Sequence, residues 1–171
     1  MRRLGSAWAL SFLLAGAGTA ATLPEGLALK KQGKHAEAAK VFEALVKKNP
    51  KDVESLEQLA TLQGWLNRYD ESIATWKRAL ALKPKNRDYR VGLARVLYWK
   101  HEFKDSLREL DAVLEAKEDD LEALILEGDV YLADGKAAAA RKSYRSAQEL
   151  APDDAELAKK AARAVDKAPS K

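Results

Sequence analysis

The sequence predicts an all-α solenoid in which short helical hairpins stack on one another. Four residues that favour helix N-caps, Asp52, Asn86, Asp120 and Asp154, each lie 34 residues from the next. Each precedes a run of apolar residues at helical spacing, and a proline follows the second helical block in three of the units. A period of this size, with two helical blocks in every unit, is typical of stacked helical repeats.

Each unit is predicted to be a helix, a turn and a second helix. In the second unit Leu56 and Leu59 mark one face of the first helix, while Trp76 and Ala79 mark the second helix. Turn positions recur at Gly33, Asn67-Arg68, His101 and Gly135. The second helices end before Pro50, Pro84 and Pro152, with Glu118 in the place of proline once.

This arrangement resembles the tetratricopeptide repeat. That family has a small residue in the first helix, a small residue early in the second helix, and a bulky apolar residue one turn later. Small residues let two helix axes approach closely, and the bulky residue fills the remaining space. The matching residues are Gly26, Ala60, Ala94 and Gly128; Ala38, Ser72, Ser106 and Ala140; and Phe42, Trp76, Leu110 and Tyr144.

The resemblance implies a right-handed superhelical solenoid of four hairpins and a C-terminal capping helix. The hairpins are expected over about residues 22–50, 53–84, 87–118 and 121–152, and the capping helix over 153–168. A terminal helix with a polar outer face would close the stack. The pattern departs from the family at Glu118 and in the first unit, whose opening helix is cut short.

Residues 1–21 have the composition of a secretory signal peptide. Arg2 and Arg3 precede an apolar run that begins at Leu4, and small residues follow up to Ala21. Cleavage is expected after Ala20 or Ala21, which predicts a periplasmic or secreted protein. A retained membrane anchor and an additional repeat helix are the two alternatives for this segment.

Charge and composition exclude several classes of function. The chain has no cysteine, which excludes disulfides, thiolate metal sites and cysteine nucleophiles. It has 30 basic and 26 acidic residues; the predicted signal peptide accounts for two arginines, so the remainder has a net charge of +2. So small an excess does not favour binding to nucleic acid.

The sequence shows no catalytic constellation. Its two histidines, His35 and His101, are expected to be a packing residue and a solvated turn residue. Paired acids such as Asp119-Asp120 lie at helix starts, where a carboxylate favours the helix dipole. We therefore expect neither an enzyme nor a cofactor or metal site.

The resemblance implies that the first helices line a concave groove that holds a partner's peptide. The residues expected to line it are Leu27, Glu57, Trp65, Val91, Arg95, Tyr98, Trp99, Ile125, Asp129 and Leu132, accompanied by Leu23, Lys30, Lys31 and Thr61; Glu54, Asp88 and Glu122 would form an acidic margin. The family's carboxylate clamp is missing, because its places hold Leu23, Leu27, Gln58, Asp88 and Gly92.

Aromatic residues of the groove are the strongest indication of function. Trp65, Tyr98 and Trp99 provide large contact areas at small entropic cost, which is typical of binding hot spots. We expect Trp99→Ala to weaken partner binding by about 2 kcal/mol or more while leaving the fold intact. The alternative is that these rings partly pack between hairpins and expose only an edge. The sequence therefore predicts an exported module that binds a partner polypeptide, apolar with basic residues, and assists assembly or scaffolds a complex. The alternative is a structural connector that self-associates or links envelope components through its convex face or its ends.

Overall fold

The computed structural model describes residues 21–166, which form α-helices and contain no β-strand. The helices are α1 (Leu23–Lys31), α2 (His35–Lys48), α3 (Val53–Trp65), α4 (Tyr69–Leu82), α5 (Arg87–Trp99), α6 (Phe103–Ala116), α7 (Leu121–Ala133), α8 (Ala137–Leu150) and α9 (Ala155–Asp166). The predicted all-α repeat solenoid is confirmed. The predicted signal peptide lies outside the described residues except for Ala21. Within that part of the chain, no helix is both long and apolar enough to span a bilayer.

Helix starts follow the predicted caps. The side chains of Asp52, Asn86 and Asp120 accept hydrogen bonds from the backbone N–H three residues later. Asp154 accepts from the N–H groups of Glu156 and Leu157 at the start of α9. Each bond satisfies a donor that the first turn of a helix leaves without a partner. All four predicted caps are confirmed, which fixes the start of every unit after the first.

The turns inside the hairpins share one backbone conformation. Gly33, Asn67, His101 and Gly135 have φ values of 75°, 60°, 64° and 76°. This left-handed region favours glycine and tolerates asparagine, whose short side chain adds little steric conflict. The tight reversal that it produces places the two helices of a hairpin side by side.

The predicted small and bulky positions meet inside the hairpins. A Cβ at Gly26 would lie 2.6 Å from the Phe42 ring, and one at Gly128 would lie 2.4 Å from the Tyr144 ring. In the second and third hairpins a serine hydroxyl joins the two helices. Ser72 Oγ donates to the carbonyl of Ala60 at 2.6 Å. Close helix packing in each unit therefore follows from its own residue pair.

Neighbouring hairpins stack with their first helices closer together than their second helices. α3 contacts α5, and α5 contacts α7, whereas contacts of this extent are absent between the second helices of the described chain. The stack therefore curves toward the first helices, which line its concave side. The predicted capping helix α9 packs on α8 and covers the last core cluster through Leu157 and Ala164.

Candidate binding groove

One face of each first helix forms the concave surface. On α5 this face carries Asp88, Gly92, Arg95 and Trp99, which are spaced by four, three and four residues and so lie along one side of the helix. The equivalent residues of α3, 34 positions earlier, are Glu54, Gln58, Thr61 and Trp65. The groove therefore consists of rows of equivalent positions that run across the stack.

A small cleft of about 70 Å³ lies between α3 and α5, which we call the aromatic cleft. Trp65 is 46% exposed at its mouth, whereas the Trp76 side chain beneath it belongs to the core. Its lining residues are Thr61, Trp65, Trp76, Gly92, Arg95, Val96 and Trp99. Three indoles in one cleft offer a large apolar contact surface.

Trp65 is held in position by its neighbours on the first hairpin. The Lys30 Nζ lies 5.0 Å from the Trp65 ring centroid and donates to Gln58 Oε1 at 2.7 Å. The His35 ring packs edge-on against Trp65, with centroids 5.0 Å apart. A cation over an indole face is favourable, so Trp65 keeps a defined orientation although nearly half of its surface is open.

Trp99 is more deeply packed than Trp65. A Cβ at Gly64 would lie 3.0 Å from the Trp99 ring, which therefore rests on the backbone of α3. Trp99 also packs against the hydrophobic core formed by buried residues of α2, α3, α4 and α5. Because it joins α5 to α3, the substitution Trp99→Ala would reduce both the fold's stability and any binding, and Trp65 is the better residue for a binding test.

A larger cleft of about 600 Å³ lies between α5 and α7, which we call the charged cleft. Its lining residues are Arg87, Arg95, Lys117, Asp120, Leu121, Glu122, Ile125, Leu126 and Asp129. Arg87 Nε donates to Asp120 Oδ2 at 2.7 Å, and its Nη1 donates to Glu122 Oε2 at 2.7 Å. Arg95 donates to the other oxygen of Glu122. The ionic groups along this cleft are thus largely paired with each other.

Asp129 at the end of the charged cleft is engaged by two other elements. It accepts hydrogen bonds from the Tyr144 hydroxyl at 2.7 Å and from Lys160 Nζ of α9 at 2.6 Å. Burial and the Asp129 carboxylate together raise the pKa of Tyr144. Asp129 therefore ties α7 to α8 and α9, and a partner would have to displace Lys160 to reach it.

The carboxylates at the opposite end of the groove, Glu54 and Glu57, have fewer cationic partners. Burial raises the pKa of Glu57, and the nearby Asp88 and Glu54 raise it further, while Lys30 lowers it. Burial lowers the pKa of Lys30, against the attraction of Glu57. Of the predicted acidic margin, Glu122 and Asp88 are paired with arginine, but Glu54 has no ion pair among the described residues.

The remaining predicted residues differ in how they face the groove. The prediction for Val91 is wrong: it is 2% exposed and packs in the core with Ala94 and Leu110, because its position on α5 is turned toward α6 and α7. Tyr98 is half-buried beside Phe103, and burial raises its pKa. Leu132 and Ile125 are half-buried against the last core cluster, and Leu27 is 38% exposed.

Sequence reasoning missed three residues that shape this surface. Arg87 anchors the charged cleft, Lys160 engages Asp129 from α9, and Gln58 orients Lys30. The pairs formed by Arg87 and Lys160 join residues 33 and 31 positions apart, which is about one repeat. Opposite charges separated by one period on successive first helices are the signal that identifies such pairs.

Comparison with known proteins agrees with this architecture. Tetratricopeptide repeat models match residues 20–62, 66–130 and 121–154. The crystal structure of the MamA protein matches with a TM-score of 0.73 at 17% identity, covering 83% of this chain and 78% of that one. MamA from Desulfovibrio magneticus RS-1 matches with a TM-score of 0.71 at 19% identity, covering 84% and 87%.

A tetratricopeptide repeat protein from Parabacteroides merdae ATCC 43184 matches with a TM-score of 0.73 at 18% identity. The alignment covers 84% of this chain but 57% of that protein, so this chain spans little more than half its length. Comparison with curated proteins finds no similar sequence. These structural likenesses concern the fold, whereas the three repeat models together match most of the sequence. The chain belongs to the tetratricopeptide repeat family.

Proposed function

We propose that this protein is an exported interaction module that holds a segment of a partner polypeptide in the groove formed by α1, α3, α5 and α7. The observation that carries the proposal is Trp65, an indole 46% exposed on the concave face and oriented by Lys30 and His35. A large aromatic side chain kept rigid and open to solvent loses little entropy on binding. Such a residue is suited to be the centre of an interface.

The charges of the groove favour a partner with basic residues beside apolar ones. Glu54 and Glu57 lie on the same helix as Trp65, toward its N-terminal end. Carboxylates beside an apolar contact attract basic groups and repel acidic ones, so they select a partner and its orientation. The proposed partner segment therefore places an apolar residue at the aromatic cleft and a lysine or arginine near Glu57.

Export is the part of the proposal that rests on residues 1–21 alone. The order of charged, apolar and small residues in that segment is that of a signal peptide. Appending residues 1–21 to a reporter that is active only after export would test it. Activity outside the cytoplasm supports export, whereas a reporter retained in the cytoplasm contradicts it.

Photo-crosslinking in cells tests the groove directly. Trp65 is replaced by p-benzoylphenylalanine, an aromatic group of similar size, and Lys77 on the outer face of α4 is replaced in the same way as a matched control. A heterologous adduct that forms from position 65 and not from position 77 supports the groove. Adducts from position 77 alone, or no adduct from position 65, contradict it.

A structural connector is the second candidate, and exposed leucines favour it. Leu82 and Leu150 occupy equivalent positions at the ends of α4 and α8 and are 38% and 43% exposed. Apolar contacts on this outer edge would serve self-association. Light scattering distinguishes the two candidates, because the connector predicts a stable oligomer that Leu150→Ser dissociates, whereas the groove function does not need one.

A further inference from the structure

A further pocket lies at the edge of the stack, where the loop between α4 and α5 meets the C-terminal half of α6, and we call it the edge pocket. Its volume of about 460 Å³ lies within the range of about 300–1,000 Å³ that is usual for binding pockets. Its lining residues are Pro84, Lys85, Arg87, Arg90, Ala112, Val113, Ala116 and Lys117. The lining therefore combines an apolar floor with four cationic side chains and includes no carboxylate.

The edge pocket is present because the third unit has alanine where two other units have leucine. Ala116 is equivalent to Leu82, 34 positions earlier, and to Leu150, 34 positions later. Those two leucines lie at the ends of α4 and α8 and are 38% and 43% exposed. The methyl group of Ala116 leaves open the space that a leucine would fill. An aliphatic side chain from outside would bury this apolar floor, which is favourable.

Two of the cations around the edge pocket can bind a carboxylate that the protein does not supply. The two arginines are already paired with carboxylates, Arg90 with Glu109 at 2.8 Å. Lys85 has no ion pair among the described residues, and the Nζ of Lys117 lies 3.7 Å from its nearest carboxylate oxygen in an exposed pair. Since such an exposed pair contributes little, both lysines remain able to bind another anion.

One exposed apolar side chain of this protein has the charge that the edge pocket requires. The large apolar side chains exposed among the described residues are Leu27, Trp65, Leu82 and Leu150. Each of the first three has a lysine or an arginine within four positions along the chain. Within four positions of Leu150 the charged residues are Glu149, Asp153 and Asp154, all of them exposed. Because opposite charges attract across an interface and like charges repel, Leu150 matches the edge pocket and Leu82 does not.

Leu150 and the edge pocket lie on the same side of the molecule. Both are at the C-terminal ends of second helices, α8 and α6, in successive units. A two-fold axis between two copies would therefore bring the Leu150 of each copy to the edge pocket of the other, which is the reciprocal contact of a symmetric dimer. The aromatic cleft lies at the other end of α5, beside Trp99, and stays open in such a dimer.

We propose that the edge pocket binds Leu150 of a second copy of this chain in a two-fold dimer, with Lys85 and Lys117 of each copy facing Glu149 and Asp153 of the other. The inference rests on the second candidate function, the structural connector, and names its partner and both of its surfaces. It does not depend on the groove, because neither surface includes Trp65.

Sedimentation velocity tests the dimer with protein purified from cells that produce the full sequence. We expect a dimer that dissociates on dilution and weakens as salt rises, because salt screens exposed charges. Leu150→Ser should weaken dimerisation at least about tenfold, since a leucine side chain is no longer buried, and its matched control Leu82→Ser should leave it within about twofold. A monomer at every concentration, or equal losses in the two variants, would overturn the proposal.

Filling the edge pocket tests the other surface. Ala116→Leu introduces the residue that the second and fourth units carry at this position, and both residues favour a helix, so the melting temperature should change little. Dimerisation should fall at least about tenfold, as for Leu150→Ser. If Leu150→Ser dissociated an oligomer that Ala116→Leu left intact, the connector function would stand and the assignment of the edge pocket would be wrong.

Charge reversal provides a test in which a mixture recovers what two variants lose. One variant carries Lys85→Glu and Lys117→Glu, and the other carries Glu149→Lys and Asp153→Lys. Each alone should be monomeric, because like charges then face each other in both contacts. In a mixed dimer both contacts again join opposite charges, so equal amounts of the two variants should form a heterodimer. A mixture that stays monomeric contradicts the reciprocal contact.

Photo-crosslinking in cells distinguishes a second copy from another protein. We place p-benzoylphenylalanine at position 153, at the margin of the proposed contact, and expect an adduct between two copies of the chain. The absence of that adduct, or a heterologous adduct in its place, would overturn the proposal. Since the crosslink from position 65 reports on the groove alone, failure of the dimer is distinguishable from failure of the groove function.

Discussion

The charged cleft and the aromatic cleft form the two halves of the groove and are built on the same helical repeat. They differ in whether their polar groups have partners within the protein. Around the charged cleft, Arg87, Glu122, Asp120 and Asp129 are joined in ion pairs and hydrogen bonds within the protein. Around the aromatic cleft, Trp65 is open to solvent and the Trp76 donor has no acceptor among residues 21–166. Paired groups hold the stack together, whereas the open indole of Trp65 remains available to a partner.

The comparison predicts that removing Arg87 damages the fold. Asp120 is 6% exposed, and Arg87→Ala would leave its carboxylate buried with few partners. We expect the free energy of unfolding to fall by about 2 kcal/mol, somewhat less than for a fully buried pair because Arg87 is partly exposed. Urea denaturation measures the change. The control Arg108→Ala removes an exposed pair with Asp105 and should cost less than about 0.5 kcal/mol; equal losses would contradict the distinction.

At the aromatic cleft the same kind of truncation should affect binding instead. We expect Trp65→Ala to weaken binding of the partner segment by about 2 kcal/mol, as for a hot-spot residue, with little change in melting temperature. Titration calorimetry with the crosslinked partner's segment gives the affinity. Ile125→Ala in the charged cleft is the matched control, and an affinity loss larger than that of Trp65→Ala would reverse the assignment of the two halves.

Lowering the pH should change the contributions of Asp120 and Glu57 to the free energy of unfolding in opposite directions. Arg87 lowers the pKa of Asp120, so this carboxyl contributes stability above its unfolded-state pKa that is lost as pH falls through the folded-state value. Burial raises the pKa of Glu57, so its ionisation costs stability once pH rises above its unfolded-state value. Asp120→Asn should flatten the loss of stability in acid, and Glu57→Gln should raise stability near neutral pH.

Thermal unfolding of both variants from pH 7 down to pH 3, about one unit below the ordinary carboxyl range, measures these slopes. The conservative amides keep the size of each side chain. If Glu57→Gln lowered stability at neutral pH, the carboxylate would be engaged in a favourable pair and the contrast between the two halves would fail.

The smallest effect on stability is expected in the turns inside the hairpins, where the two halves of the groove are alike. His101 and Gly135 share a positive φ that costs a residue with a Cβ more than it costs glycine. His101→Gly should therefore raise the free energy of unfolding by up to about 1 kcal/mol, and Gly135→Ala should lower it by a similar amount. Chemical denaturation of both variants checks the sign. A loss in the first variant would show that the contact of His101 with Phe103 outweighs the backbone term.

Properties that depend on one unit could be predicted from the sequence. The caps at Asp52 and Asn86 and the fit of Phe42 on Gly26 each involve residues of a single hairpin. Properties that depend on how units stack could not. The burial of Val91 follows from the rotation of α5 against α6 and α7, and the bond from Lys160 to Asp129 follows from the position of α9. A fixed period gives the residues that are equivalent, but it does not give the angle between successive units.

Gly92 also limits how this surface can change during evolution. Groove-facing positions such as Gln58 and Thr61 can vary without disturbing the interior, because their side chains point away from it into the groove. At position 92 any larger residue would meet the Trp76 ring, so a change in specificity there is also a change in the core. Selection for a new partner is therefore expected to act through the neighbouring rows, while glycine at position 92 and tryptophan at position 76 persist together.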